Sequence, residues 1–135
     1  MSSILHVEDD ASDRLLFAAA FKRMKLPVTV ESAGDGQEAI ERLSSGPAPR
    51  LVLLDLKMPR RSGFEVLEWI RSRPGLEDLP VFILTSSEQP DDVQRAYTLG
   101  ANAYLVKDVD VQVQRSLVRG IGSYLALLDR RAKAT

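Results

Sequence analysis

Apolar residues fall into five short runs separated by amphipathic stretches. The first, residues 4–7, ends in three acids, Glu8, Asp9 and Asp10. Ser12 or Asp13 stands where a helix cap is wanted, and Leu15, Leu16, Ala19, Ala20 and Met24 follow at helical spacing until Pro27 ends the helix. Residues 28–30 form a second, more polar run, which suits an edge strand. Asp35 and Gly36 open a short helix carrying Ala39, Ile40 and Leu43, and residues 44–49 have a loop composition. Leu51–Leu54 is the most apolar run and ends at Asp55. After a loop between Pro59 and Gly63 comes a helix with Phe64, Val66, Leu67 and Ile70, stopped at Pro74 and Gly75. Residues 81–84 form the fourth run, ending at Thr85. Pro90 then opens a helix that Gly100 terminates. Ala103–Val106 is the fifth run, ending at Lys107, and the chain to about Leu128 is helical. Strands apolar along their whole length are covered on both faces. The pattern therefore predicts an α/β fold: five strand–helix units in a parallel sheet with helices on each side.

The 135 residues suffice for one domain, and 44% hydrophobic with 27% charged residues suits a globular one. Eighteen Lys and Arg against nineteen Asp and Glu leave a net charge of −1, without the basic excess of a nucleic-acid binder. The absence of cysteine excludes disulfide scaffolds, thiolate metal sites and cysteine nucleophiles. A single histidine, His6, excludes histidine-rich metal centres. No apolar run approaches the ~20 residues of a membrane helix, and the N-terminus turns acidic without a signal-peptide core, so the expected location is the cytoplasm.

Open α/β sheets carry their sites at the carboxyl ends of the strands. Those ends hold Glu8 and Asp9, then Asp55, Thr85 and Lys107. Three carboxylates brought together repel one another, and a divalent cation relieves the repulsion. Hard oxygen ligands suit Mg²⁺, which binds one or two carboxylates and a phosphoryl oxygen while keeping several waters. A carboxylate is also a competent nucleophile toward phosphorus. Phosphoryl transfer needs little beyond in-line positioning and neutralised oxygens, which Mg²⁺, the Lys107 ammonium and the Thr85 hydroxyl can supply. The constellation is suited to accepting a phosphoryl group on Asp55.

The segments ILHVEDD, LVLLDLKMPRRSGFEVL, VFILTSS and GANAYLVKD resemble the receiver domain of bacterial two-component response regulators. The resemblance runs from Ile4 to about Leu128, giving a receiver domain at 1–128 and a solvated tail at 129–135. It implies a flavodoxin-like sheet in the order 2-1-3-4-5. It also implies Asp55 as phosphoacceptor, with Glu8, Asp9, Asp55 and the Lys57 backbone carbonyl as Mg²⁺ ligands. Thr85 and Tyr104 become a switch pair and Lys107 the phosphate-binding lysine. The protein is then a signalling phosphoacceptor and not an enzyme in its own right. The stretch SSEQPDDVQRAYTLGANAYLVK, with no output domain, is most similar to single-domain receivers paired with bacterial phytochrome histidine kinases, which implies such a kinase as partner.

Four further expectations attach to single features. His6 lies within a central strand, so it is expected to be partly buried and hydrogen-bonded rather than a phosphodonor. Lys57 is either a solvent-exposed lysine or a group whose bulk and charge hinder the hydrolytic water. Asp108 stands where the family usually has a cis proline after the lysine; a non-proline cis bond costs about 3–4 kcal/mol, so a trans bond and a rearranged loop are expected. In the last helix, Val113, Leu117, Ile121, Tyr124 and Leu128 form a stripe expected to face the core. Val111, Val118, Leu125 and Leu127 are surplus to it and suggest a homodimer through the fourth helix, fifth strand and last helix, or through the last helix alone.

Competing classes fit less of the pattern. An aspartyl phosphohydrolase places a second Asp two residues after the first, where this chain has Lys57. A flavin-binding module needs a phosphate loop after the first strand, where Glu8, Asp9 and Asp10 would repel it. The alternative that stays open is a degenerate receiver that binds partners without being phosphorylated.

Overall fold

Each apolar run becomes a strand because its alternate side chains serve opposite faces of one sheet. A computed structural model describes residues 2–134. Five parallel strands, β1 (Ser2–Val7), β2 (Val28–Ala33), β3 (Leu51–Leu54), β4 (Val81–Thr85) and β5 (Ala103–Val106), stand in the order β2-β1-β3-β4-β5. This is the flavodoxin-like (βα)5 arrangement. The connecting helices are α1 (Ala11–Arg23), α2 (Gly36–Leu43), α3 (Gly63–Ser72), α4 (Pro90–Thr98) and α5 (Val111–Ala134).

The alternation divides the interior into two cores. Leu5, Val7, Val52, Leu54, Val81 and Ile83 pack against Ala39, Ile40, Leu43, Val66, Leu67, Ile70 and Ala96 of α2, α3 and α4. Ile4, Leu51, Leu53 and Phe82 point the other way, against Phe21 of α1 and Val118, Ile121 and Leu125 of α5. Central strands β3 and β4 are buried along their whole length, whereas edge strand β2 has the mixed exposure its polarity predicts.

Four local expectations need correction. β2 extends to Ala33 because it pairs with β1 through all six residues, and an edge strand tolerates the outward polar Glu31 and Ser32. α1 is capped by Asp10 rather than by Ser12 or Asp13: the Asp10 carboxylate accepts from the Ser12 and Asp13 amides at 2.8 and 3.1 Å. The same helix turns Phe17, Ala20, Phe21 and Met24 inward and leaves Leu15 and Leu16 72% and 60% exposed. Residues 15–21 are apolar on every side, so spacing alone cannot select the face, and the larger rings take the interior. In α5, Val118 and Leu125 belong to the core while Val113 is exposed. The inward stripe is thus Leu117, Val118, Ile121, Tyr124, Leu125 and Leu128, with Val111 and Leu127 left outside.

The backbone of α5 continues to Ala134 through the stretch expected as a tail. The side chains of 129–135 lie outside the described residues. No helix among the described residues is long and apolar enough to cross a membrane.

Candidate functional site

The order β2-β1-β3-β4-β5 puts the carboxyl ends of β1, β3, β4 and β5 side by side. Backbone hydrogen bonds knit this edge: the Asp55 amide donates to Val7 O at 3.1 Å, the Glu8 amide to Ala33 O at 3.0 Å, and the Lys107 amide to Thr85 O at 2.8 Å. One carboxylate oxygen from each of Glu8, Asp9 and Asp55 lies within 4.8 Å of the others. Glu8 and Asp55 are buried and Asp9 is exposed, so the cup opens to solvent on the Asp9 side. Asp10 stays out of this cluster, occupied as the cap of α1. Its backbone amide donates to Glu8 Oε2 at 3.1 Å.

The loop after β3 closes over the phosphoacceptor candidate. Leu56 donates its amide to Asp55 Oδ1 at 2.8 Å, and the Gly63 amide donates to Leu56 O at 2.9 Å. The fit at Gly63 is so tight that a Cβ there would sit 2.1 Å from the Asp55 carbonyl oxygen. Only glycine lets α3 begin this close to the site. Lys57, just beyond, has an exposed side chain.

Lys107 spans the cup from the far side. Its ammonium hydrogen-bonds Glu8, lies 3.3 Å from Asp55 Oδ2 and also reaches Asp13 Oδ2 at 3.1 Å. Burial opposes the charge on this lysine, but the Glu8 hydrogen bond and the Asp55 and Glu8 charges outweigh it and hold the ammonium above its usual range. For Glu8, burial dominates and raises the carboxyl, with Asp55 adding to the rise against the pull of Lys107 and the Asp10 amide. One ammonium among Glu8, Asp9, Asp13 and Asp55 leaves an excess of negative charge. All the donors are hard oxygens, a set that fits Mg²⁺.

Thr85 is buried at the end of β4, and Ser87 donates its amide toward Thr85 Oγ1 at 3.5 Å. Tyr104, half-buried on β5, donates its hydroxyl to Ser87 O at 2.9 Å. Ser87 Oγ donates to Asp92 Oδ2 at 2.5 Å. Ser87 therefore ties together Thr85, Tyr104 and the first turn of α4, a role its sequence position alone did not signal. Asp13, in the first turn of α1, is a further partner of Lys107 that the strand-end pattern does not include. The available clue was its place one helical turn beyond the acidic pair.

No cis peptide bond occurs among the described residues, so Lys107–Asp108 is trans. His6 is 2% exposed and tilted against Phe17, with ring centroids 4.6 Å apart. Its Nδ1 has no hydrogen-bond partner, so the expected hydrogen bond is not made through that nitrogen. His6 points to the α1 side of β1, where its ring meets that of Phe17 within reach of the Lys107 and Asp13 charges. Burial, reinforced by the Lys107 charge, lowers its pKa to about 4.

A five-stranded sheet in this order, with an acidic, lysine-bridged cup at its carboxyl edge, defines a receiver-type domain. The chain belongs to the response regulator receiver domain family, whose pattern matches residues 4–119. It is 37% identical over 126 residues to the probable methanogenesis regulatory protein FilR2 of Methanothrix harundinacea, covering 90% of this chain and 81% of that protein. It is 35% identical over 127 residues to response regulator Rcp1 of Synechocystis, covering 90% of this chain and 86% of Rcp1. The Mn²⁺-bound form of Rcp1 superimposes with a TM-score of 0.83 over 93% of this chain and 94% of that one. The phosphorylated cyanobacterial phytochrome response regulator RcpA gives 0.83 at 33% identity, over 91% and 92%. The protein is thus a receiver-domain response regulator related to phytochrome response regulators.

Proposed function

We propose that this chain accepts a phosphoryl group on Asp55 from a sensor histidine kinase, in a Mg²⁺-dependent reaction, and signals through altered protein contacts. One observation carries the reading. Three carboxylates from two adjacent strands meet within 4.8 Å, and a lysine from a third strand lies 3.3 Å from Asp55.

Asp55 supplies the nucleophile. An oxygen of its carboxylate forms a bond to phosphorus as the phosphorus–nitrogen bond of the kinase's phosphohistidine breaks, and the departing imidazole keeps the electron pair. Glu8, Asp9, Asp55 and the Lys57 carbonyl would hold Mg²⁺, which when bound neutralises charge on the phosphoryl oxygens. Lys107 pairs with a second oxygen and Thr85 donates its hydroxyl to a third. Drawing Thr85 toward the phosphoryl group alters its contact with Ser87, and Ser87 passes the change to Tyr104 and α4. The readout is then the α4–β5–α5 face. That face carries exposed Tyr97, Val106 and Val111, which suits pairing with a second copy. The resemblance to RcpA favours a phytochrome-type kinase as donor.

Incubation with acetyl phosphate and Mg²⁺, followed by intact mass, tests the reading. The expected result is a gain of one phosphoryl mass that disappears in Asp55→Asn and with a chelator. A chain that gains no mass under these conditions acts as a degenerate, phosphorylation-independent binding module.

A further inference from the structure

We infer that Asp13 is a positioning residue for the phosphoryl-binding lysine: it anchors Lys107 at the mouth of the site while the metal claims the lysine's other partners. The inference rests on the proposed phosphoacceptor role of Asp55 and adds a residue to that site.

Lys107 has three carboxylate partners, and they are not equivalent. Glu8 and Asp55 belong to the cluster that fits a cation, so an ion there would compete with the ammonium for the same carboxylates. Asp13 lies outside that cluster, yet its Oδ2 is 3.1 Å from Lys107 Nζ. It stands in the first turn of α1, fixed there by the Asp10 cap that receives the Asp13 amide. A cation in the cluster would draw on the other two partners of Lys107, whereas the Asp13 contact lies outside that competition. An ammonium has three donors, so it can keep Asp13 and still offer a proton to a phosphoryl oxygen.

The backbone makes such an anchor useful. Lys107 is followed by Asp108, then Val109 at 99% exposure and the exposed Asp110, before α5 begins at Val111. Within this exposed stretch Asp108 Oδ1 accepts from the Asp110 amide at 2.8 Å, a bond that stays inside the turn and does not reach the sheet. Upstream, the lysine is tied to β4 through its amide. Among the described residues, its side chain is held by the carboxylates of Glu8, Asp13 and Asp55. The Asp13 side chain is 42% exposed and that of Lys107 24%, so the pair is partly screened and its effect is moderate.

The test is titration with beryllofluoride, a phosphoryl mimic, in saturating Mg²⁺. Four proteins are compared: the wild type, Asp13→Asn, Lys107→Ala and the double variant. Asp13→Asn keeps the shape of the side chain, and its thermal melt confirms folding. We expect its beryllofluoride affinity to fall about fivefold, with Mg²⁺ affinity within twofold of wild type. In the Lys107→Ala background the same substitution should change nothing, because an anchor acts only through what it anchors. Unchanged or tighter binding by Asp13→Asn overturns the inference, as does a loss that persists without Lys107. A wild type that binds no beryllofluoride overturns the phosphoacceptor reading itself, which keeps the two failures distinct.

Discussion

The phenolic hydroxyl of Tyr104 donates to the backbone carbonyl of Ser87 at 2.9 Å, joining the fifth strand to the loop that leaves the fourth. Replacing Tyr104 by Phe removes that bond and should cost about 1 kcal/mol in urea denaturation. Tyr104 hydrogen-bonds none of Glu8, Asp9 or Asp55, so Mg²⁺ affinity and the rate of phosphorylation by acetyl phosphate should stay within about twofold. Phosphorylation-dependent change in self-association, read by sedimentation, should be lost.

Two glycines predict opposite outcomes for the same substitution. In Gly63→Ala the new methyl would meet the Asp55 carbonyl oxygen at 2.1 Å and Leu56 Cα at 2.8 Å, both backbone atoms. The loop must shift, at about 1–3 kcal/mol or more, and Asp55 shifts with it, so phosphorylation slows as well. Gly120 in α5 has nothing within 4 Å of an added Cβ. Gly120→Ala should stabilise the fold by up to about 1 kcal/mol and leave phosphorylation unchanged.

The pH dependence of stability should carry a signature of His6. Its pKa is about 4 in the folded chain against 6.5 as the ordinary value, chiefly through burial. Between these values the unfolded chain binds a proton that the folded chain refuses. The stabilisation is therefore complete above pH 6.5 and is lost as pH falls toward 4. The raised Glu8 carboxyl works in the opposite sense, so the measurement is a comparison with His6→Leu, in which the Glu8 contribution is shared. Between pH 7 and pH 5, wild type should lose about 2 kcal/mol relative to the variant. Parallel curves would show that the imidazole does not titrate in this range.

Metal affinity should rise with pH. Burial raises the Glu8 carboxyl, so at lower pH a cation must displace a proton as well as the Lys107 ammonium. Calorimetric titration with Mg²⁺ should give tighter binding at pH 8 than at pH 6, and Glu8→Gln should remove most of the difference. Chelation should abolish phosphorylation at either pH.

Lys57 carries a prediction about lifetime. Its exposed side chain stands two residues beyond Asp55, and the proposal under test is that its bulk and charge obstruct an approaching water. Lys57→Asn should shorten the half-life of the phosphorylated protein, followed by loss of the added mass after donor removal. An unchanged half-life assigns Lys57 to the solvated surface.

The strands were legible because a parallel sheet buried on both faces demands unbroken apolar runs, and Leu51–Leu54 and residues 81–84 supply them. The polar residue ending four of the five runs stands out for the same reason, which groups Glu8, Asp9, Asp55, Thr85 and Lys107 from the sequence. Helix faces were harder. Residues 15–21 offer no polar side, so only packing reveals that Phe17 and Phe21 point inward. Val118 and Val113 of α5 exchanged places because one-residue steps on a helix swing by about 100° and several stripes fit the same letters. Ser87 and Asp13 escaped notice since each acts through a contact with a distant segment, 17 residues away for the Ser87–Tyr104 bond and 94 for the Asp13–Lys107 pair.

Glu8 and Lys107 meet across 99 positions of sequence. On the proposed reading, receptivity to phosphate is an attribute of the completed architecture: a chain whose terminal strand–helix unit has come undone would forfeit the Lys107 ammonium and turn away the anionic donor. Partly unravelled molecules would be silent to an upstream kinase, and the signal would count only intact ones.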